Sequence, residues 1–158
     1  MEMKFDEADI KLLRILQEDA TRTAQDLGVE VGLSTNACWR RIKQFEDRGL
    51  ITRRVALLDP RMLDVGTNVF VTVRTAEHSA EWLAEFAEAV SSLPEVVEFY
   101  RMAGEIDYLI KLRVADIQHY DRVYKKLIAK VRLIDVSAAF AMEEIKHTTA
   151  MPLPGDEI

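Results

Sequence analysis

The 158-residue chain has one cysteine, four prolines, six glycines and three histidines. A lone Cys38 excludes an internal disulfide and a cysteine-rich metal site. His78, His119 and His147 lie far apart and share no ligand spacing, so no metal site is expected. No apolar run approaches a bilayer span. The opening residues, MEMKFDEADI, are charged, unlike a secretory leader. These absences point to a cytoplasmic protein with no membrane partner. No glycine-rich phosphate loop and no activated serine constellation is present. Carboxylate neighbours such as Glu143–Glu144 would point to opposite faces of a strand, which makes poor acid–base partners. No catalytic site is expected, and hence no enzyme.

Positive charge is also short, with a net of −6. That sum argues against a nucleic-acid partner, but its distribution argues the other way. Residues 1–60 carry ten Lys/Arg against eleven Asp/Glu, and residues 61–158 carry eleven against sixteen. Within 40–54 stand six cations, Arg40, Arg41, Lys43, Arg48, Arg53 and Arg54, against Glu46 and Asp47. Local potential at the contact surface governs phosphate binding, not the whole-chain sum. With 49% hydrophobic residues the chain has material for a core and is not of disordered composition.

The stretch Ser34–Gly49, STNACWRRIKQFEDRG, reads as one helix with two unlike sides. Ser34 is a natural N-cap, and Gly49 sits where a helix closes with a left-handed residue. Cys38, Ile42 and Phe45 recur at spacings of four and three and form an apolar stripe. Thr35, Asn36, Trp39, Arg40, Arg41 and Lys43 stand away from it. Such a helix can turn its back on a core and offer its N-terminal part to a major groove; an ordinary amphipathic surface helix has the same stripe, so the flanking sequence must decide.

Before it, DEADIKLLRILQED predicts a helix capped by Asp6, with Asp9 completing a capping box. TAQDLGVEV predicts a shorter one capped by Thr23, with Gly28 an awkward residue in its middle. Gly32–Leu33 is a tight turn. Three helices with a glycine turn between the second and third make a helix-turn-helix. After it, Leu50–Asp59 switches to a period near two, which predicts a short strand or hairpin, the place for a wing. Arg53 and Arg54 are there either for phosphate contact or as charges protecting a strand edge. Pro60 ends the segment, and 61–67 reads as a linker.

From residue 68 onward the order is strand (68–76), helix (79–93), strand (96–103), turn, strand (107–114), helix (116–131) and strand (134–146), followed by a tail at 152–158 expected to fray. That order is the split βαβ, ferredoxin-like plan, with two helices on one sheet face. The other face, to which some of Val69, Val71, Phe99, Leu109 and Phe140 are assigned, needs a cover. A face-to-face homodimer supplies it, and a reader of two-fold operators needs a dimer too.

Across nearly the whole chain, from about Phe5 to Leu153, the motifs resemble the leucine-responsive regulator, or Lrp/AsnC, family of prokaryotic transcription factors. The carrying stretches are DEADIKLLRILQEDATRTAQDLGVEVGLSTNACWRRIKQFEDRGLI, VALLDP, EFYRMAGEIDYLIKLRV and FAMEEIKHTTAMPL. ACWRRI, VALLDP, HSAEWL, RMAGEIDYL and FAMEEIKHTTA are similar to a branch with cysteine-responsive activators. The resemblance implies an α+β protein: a winged helix-turn-helix DNA-binding domain over 1–60 and a ferredoxin-like effector and oligomerisation domain over 68–158. It implies double-stranded DNA and a small amino acid as partners, and dimers that associate to tetramers or octamers. It implies no cofactor beyond that effector.

By the motif match, Ser34, Thr35, Asn36, Trp39, Arg40, Arg41 and Lys43 lie on or near the reading helix, with Arg53 and Arg54 on the wing. Ser34 would aim the helix N-terminus at a phosphate. Asn36 and Arg40 suit paired bonds to base edges, and Arg41 and Lys43 suit phosphates. For Arg41 the competing reading is an internal salt bridge with Glu46 or Asp47. Trp39 either stacks on sugar and backbone or packs against the wing. Cys38 reads as a small core residue, with a redox switch as the rival.

In the family, amino-acid ligands sit where neighbouring dimers meet, at the turn that here holds Met102, Ala103, Gly104, Glu105 and Asp107. A glycine-containing turn offers backbone amides to a carboxylate. Asp107 can pair with an ammonium group or bond its own backbone in a plain hairpin turn. Ser137 and Phe140 are the expected opposite wall. Two rivals to a regulator remain: a haem-pathway decarboxylase, which resembles this family in fold, and a sensor that no longer binds DNA.

Overall fold

The computed structural model describes residues 4–77, 79–130, 133 and 135–156; His78, the expected helix end at Val131, the expected strand start at 134 and residues 157–158 lie outside them. The chain divides into two compact units, residues 1–56 with 146–158, and residues 57–145.

In the first unit, side-chain caps set the helix starts. Asp6 Oδ1 accepts from the Asp9 amide at 2.8 Å, and Asp9 Oδ2 accepts from the Asp6 amide at 3.1 Å. This reciprocal box opens α1, Glu7–Glu18. The Thr23 hydroxyl accepts from the Asp26 amide and opens α2, Ala24–Val31, which Gly32 closes at φ 76°. Ser34 Oγ accepts from the Ala37 amide at 3.2 Å and opens α3, Thr35–Asp47. Gly49, at φ 73°, turns the chain so that the Leu50 amide bonds back to the Phe45 carbonyl. Leu12, Leu13, Leu27, Cys38, Ile42 and Phe45 are buried together as the core of this unit.

Gly28 is awkward for helix propensity, yet its place is fixed by packing. A Cβ there would lie 2.7 Å from the Leu33 carbonyl oxygen, in the turn between α2 and α3. The missing side chain lets the turn close against α2.

Two expectations for this unit are corrected. Leu50–Asp59 forms no strand: residues 52–59 are irregular, with Val55, Leu57 and Leu58 exposed. Alternation alone does not make a strand; the backbone groups need a partner, and no described residue supplies one. The segment ends in a turn at 60–64, where the Val65 amide bonds the Pro60 carbonyl. The tail does not fray over its described residues. Leu153 packs against the helical core. The Gln17 side chain accepts from the Met151 amide and donates to the Met151 carbonyl. Asp156 pairs with Arg14 and accepts from the Leu153 amide. The Gln17–Met151 and Arg14–Asp156 partners lie more than a hundred residues apart, so local composition could not announce them.

The second unit runs β1 (Thr67–Arg74), α4 (Ala80–Ser91), β2 (Val96–Arg101), β3 (Tyr108–Val114), α5 (Ile117–Lys130) and β4 (Asp135–Phe140). The sheet order is β2-β3-β1-β4 with every neighbouring pair antiparallel, the expected ferredoxin-like plan. Trp82, Phe86 and Val90 of α4 and Val123 and Leu127 of α5 share one core with Val69, Val71, Val73, Tyr108, Ile110, Leu112 and Val114. Both helices therefore cover the same sheet face. Phe86 lies at the centre of an aromatic cluster, its ring 4.9 Å from Trp82, 5.1 Å from Tyr108 and 5.4 Å from Phe99.

Strand parity narrows the assignment of the uncovered face. Val69 and Val71 are buried against the helices, and Phe99 and Phe140 pack on the same core. Of the residues assigned there only Leu109 stands opposite, in register with Thr72 and Tyr100. The open face also holds Phe70 and Lys111, which bonds Glu98 at 2.8 Å and lies over the Phe70 ring at 6.0 Å. β4 stops at Phe140, earlier than expected, because its partner β1 is nearly used up at the Val69–Phe140 pair. Met142, expected on the strand, is 99% exposed.

Substituting Gly28 by alanine would raise helix propensity in isolation. Here Gly28→Ala is expected to destabilise the protein, by roughly 1–3 kcal/mol as an overpacked site does. A lowered urea midpoint checks this.

Candidate nucleic-acid interface and effector turn

The stripe of α3 sets the direction of its polar residues. With Cys38, Ile42 and Phe45 buried, Ser34, Thr35, Asn36, Trp39, Arg40 and Lys43 are all exposed, Trp39 by 60%. The helix N-terminus and its middle thus form one continuous polar face. Trp39 keeps this exposure rather than packing away. Cys38 is fully buried, and burial pushes its thiol up, away from a reactive thiolate. It behaves as a small core residue.

Ion pairing divides the cations. Arg41 is turned to the start of α1, where Nη1 bonds Asp6 and Asp9 at 2.6 Å each. Neither expectation for Arg41 anticipated this: it is paired inside the unit, but with the capping box of α1 and not with Glu46 or Asp47. Those two carboxylates serve other cations. Lys43 bonds Asp47 at 2.8 Å and Arg54 bonds Glu46 at 3.0 Å. Arg40 and Arg53 enter no ion pair among the described residues. Since no strand forms at 52–59, Arg53 and Arg54 guard no strand edge; they project from an irregular segment.

Sequence reading missed Arg22. It lies one residue before the Thr23 cap and bonds Glu30 at 2.6 Å. With Lys43, Arg54, Glu46 and Trp39 it lines a cleft of about 290 Å³ beside α3. A cation next to a capped helix start was the available signal.

In the second unit, Met102, Ala103, Gly104 and Glu105 form an exposed turn between β2 and β3, with Gly104 at φ 135°. The Met102 amide bonds the Asp107 carbonyl at 2.8 Å and the Asp107 amide bonds the Val73 carbonyl at 3.0 Å. Asp107 Oδ2 accepts from the Thr75 amide at 2.8 Å. The carboxylate therefore ties the turn to the end of β1 instead of bonding its own backbone. Ser137 is exposed on β4, in register with Thr72. Phe140 is not its neighbour on that face. The Phe140 ring meets Tyr120 of α5 edge-on at 5.3 Å, under the helices, so it is no wall for a ligand at this turn.

A helix-turn-helix head with an outward polar face, joined to a separate α+β unit with an exposed turn, is the build of a DNA-binding regulator. Comparison with known proteins agrees. Residues 5–46 match the AsnC-type helix-turn-helix domain and residues 68–151 the Lrp/AsnC ligand binding domain. The chain is 57% identical over 151 residues to the glutamate uptake regulatory protein of Zymomonas mobilis, covering 96% of this chain and 92% of that one. An AsnC family transcriptional regulator from Agrobacterium tumefaciens superposes with a TM-score of 0.91 at 57% identity, covering 94% of this chain and 97% of the other. A transcriptional regulator from Neisseria meningitidis, solved as its L-Met complex, gives 0.90 at 34% identity, covering 96% and 98%. The chain belongs to the Lrp/AsnC family of transcriptional regulators.

Arg41 allows a separation of stability from DNA contact. Its guanidinium holds the Asp6 carboxyl below the usual carboxylate range. The pair's contribution is then complete above about pH 4 and is lost as acid protonates Asp6. Arg41→Ala is expected to lower the thermal midpoint near neutral pH and to narrow its gap from wild type on acidification. The salt slope of duplex binding should stay unchanged in this variant, as measured by fluorescence anisotropy.

Proposed function

We propose that this regulator binds specific double-stranded DNA through α3, and that a small amino acid at the 102–107 turn modulates its binding or assembly. The carrying observation is the exposed polar face of α3, on which Asn36 and Arg40 stand beside the Ser34 cap. Asn36 and Arg40 are free to address base edges, while the N-terminus and Lys43 address phosphates. Arg41 is assigned to holding α1 instead. Residues 1–60 serve as the DNA-binding domain, 61–67 as the linker and 68–158 for effector binding and assembly, with 146–158 folded back into the first unit.

The amino-acid effector is supported by the match to a ligand-binding domain and by the relative solved with L-Met. At the turn, exposed backbone amides suit the ligand's carboxylate. The second oxygen of Asp107 suits its ammonium, and Met102, 39% exposed, offers an adaptable apolar contact. Phe70, Tyr100 and Leu109 on the uncovered sheet face suit a homodimer, from which tetramers or octamers follow. The site of action is the cytoplasm, with the DNA. We read the chain as a regulator and not an enzyme. The relatives that match over most of the chain are named as regulators, the glutamate uptake regulatory protein and a DNA-binding transcriptional activator among them. No observation favours the haem-pathway alternative.

A mobility shift on the protein's own promoter region, with and without amino acids, tests the reading. Loss of any binding at low salt would sink it. Arg40→Ala is expected to cost about 1–3 kcal/mol on the specific site. Arg53→Ala should weaken all duplexes alike and reduce the salt slope by about one. Asp107→Asn keeps an acceptor for the Thr75 amide and removes the charge. It should leave DNA binding intact and weaken the amino-acid response, read by calorimetric titration beginning with cysteine, leucine, proline and methionine.

A further inference from the structure

We propose that the cleft beside α3 is a seat for one DNA backbone phosphate, and that Glu46 competes with that phosphate for the cleft's cations until a duplex displaces it. Three cations reach this cleft from three separate stretches: Arg22 before α2, Lys43 on α3, and Arg54 beyond it. Its volume of about 290 Å³ has room for a phosphate group and part of its sugar. The Trp39 ring lines it and is 60% exposed, a flat apolar surface suited to a sugar. Glu46 also lines the cleft and bonds Arg54, one of the three cations, at 3.0 Å.

A carboxylate in that place imitates a phosphate oxygen. Phosphate binding then exchanges one charge-assisted bond for another, and the displaced Glu46 must turn to water. The exchange leaves little net gain on an arbitrary duplex. Arg22 and Lys43 repeat the arrangement, being bonded to Glu30 at 2.6 Å and Asp47 at 2.8 Å. The head is thus largely neutralised by its own carboxylates. A duplex that also satisfies the base-reading groups, Asn36 and Arg40, draws the seat open, and one that does not is held off by Glu46. Glu46 is in this sense a specificity determinant, and Arg22 a phosphate contact. The inference rests on the DNA-binding reading above and adds this gated seat to it.

The test compares full-length wild type, Glu46→Gln and the double variant Glu46→Gln with Arg22→Ala, on the protein's promoter duplex and on an unrelated duplex of equal length. Glu46→Gln is expected to bind the unrelated duplex about three- to tenfold more tightly, roughly the worth of one charge-assisted bond. Its gain on the promoter should be smaller, so the specificity ratio falls. Adding Arg22→Ala should reverse the gain. Equal affinities of wild type and Glu46→Gln for both duplexes, with wild-type promoter binding intact, would overturn the seat while leaving the proposed function standing. Absence of duplex binding by all three proteins would remove the proposed function and the seat with it.

Free phosphate is the other source of the same chemistry. Trp39 is the exposed indole and Trp82 is buried, so titration with inorganic phosphate, followed by tryptophan fluorescence, reports on the cleft. A response to inorganic phosphate in Glu46→Gln, together with unchanged duplex affinity, would make this a small-anion site and overturn the duplex assignment.

Discussion

The burial of Cys38, Ile42 and Phe45 against Leu12, Leu13 and Leu27 is the constraint on which the rest of the first unit depends. It fixes the rotation of α3 about its axis. Once those side chains are inside, the period of 3.6 leaves Asn36, Arg40 and Lys43 no choice but to face outward. The caps act with the stripe. Ser34 stops the helix from starting earlier, and Gly49 stops it from running on. The polar face of α3 is thus placed by packing.

Electrostatics then reconciles an acidic protein with a polyanionic partner. Residues 1–60 carry eleven carboxylates against ten cations, but they are not scattered. Asp6 and Asp9 take Arg41, Glu30 takes Arg22, Asp47 takes Lys43 and Glu46 takes Arg54. Arg41 is pinned by two partners in a half-buried place and works for the fold. Lys43 and Arg54 are more exposed, and exposed pairs are worth little and exchange readily. A head built this way presents little uncompensated charge. The second unit applies a different rule. Its sheet and helices are held by aliphatic and aromatic burial, and its polar turn is fastened by one carboxylate, Asp107, at the end of β1.

Local signals in the sequence were sufficient for most elements. Caps at Asp6, Thr23 and Ser34 and the strands expected at 68–76 and 107–114 predict helix and strand starts closely, because caps and periodicity act within a few residues. What was illegible depended on distant partners. The pairing of Arg41 with the capping box crosses 35 residues, and no spacing rule reaches that far. Leu50–Asp59 had the period of a strand without a neighbour to make it one. Phe140 fell on the helix side because parity is set by the register with Val69, which sequence does not reveal. The turn at 102–107 was legible as a turn, but the bond from Asp107 to the Thr75 amide needs β1 alongside β3. Gly28 was suspect as a helix residue, and only the folded turn shows that its lack of a side chain is needed.

The return of the tail to α1 has a consequence for how the protein is made. Arg14 and Asp156 are separated by 142 positions, and Leu153 joins a core whose other members lie within the first 51 residues. A ribosome delivers those members early and Leu153 only after the sheet unit. The helical unit therefore waits, with part of its apolar surface open to water, while the whole sheet unit is synthesised. Contacts of such long sequence separation are slow to form, because loop closure must precede them. Nascent chains halted before residue 153 would carry a head with an open seam, and the arrival of Leu153 is what seals it.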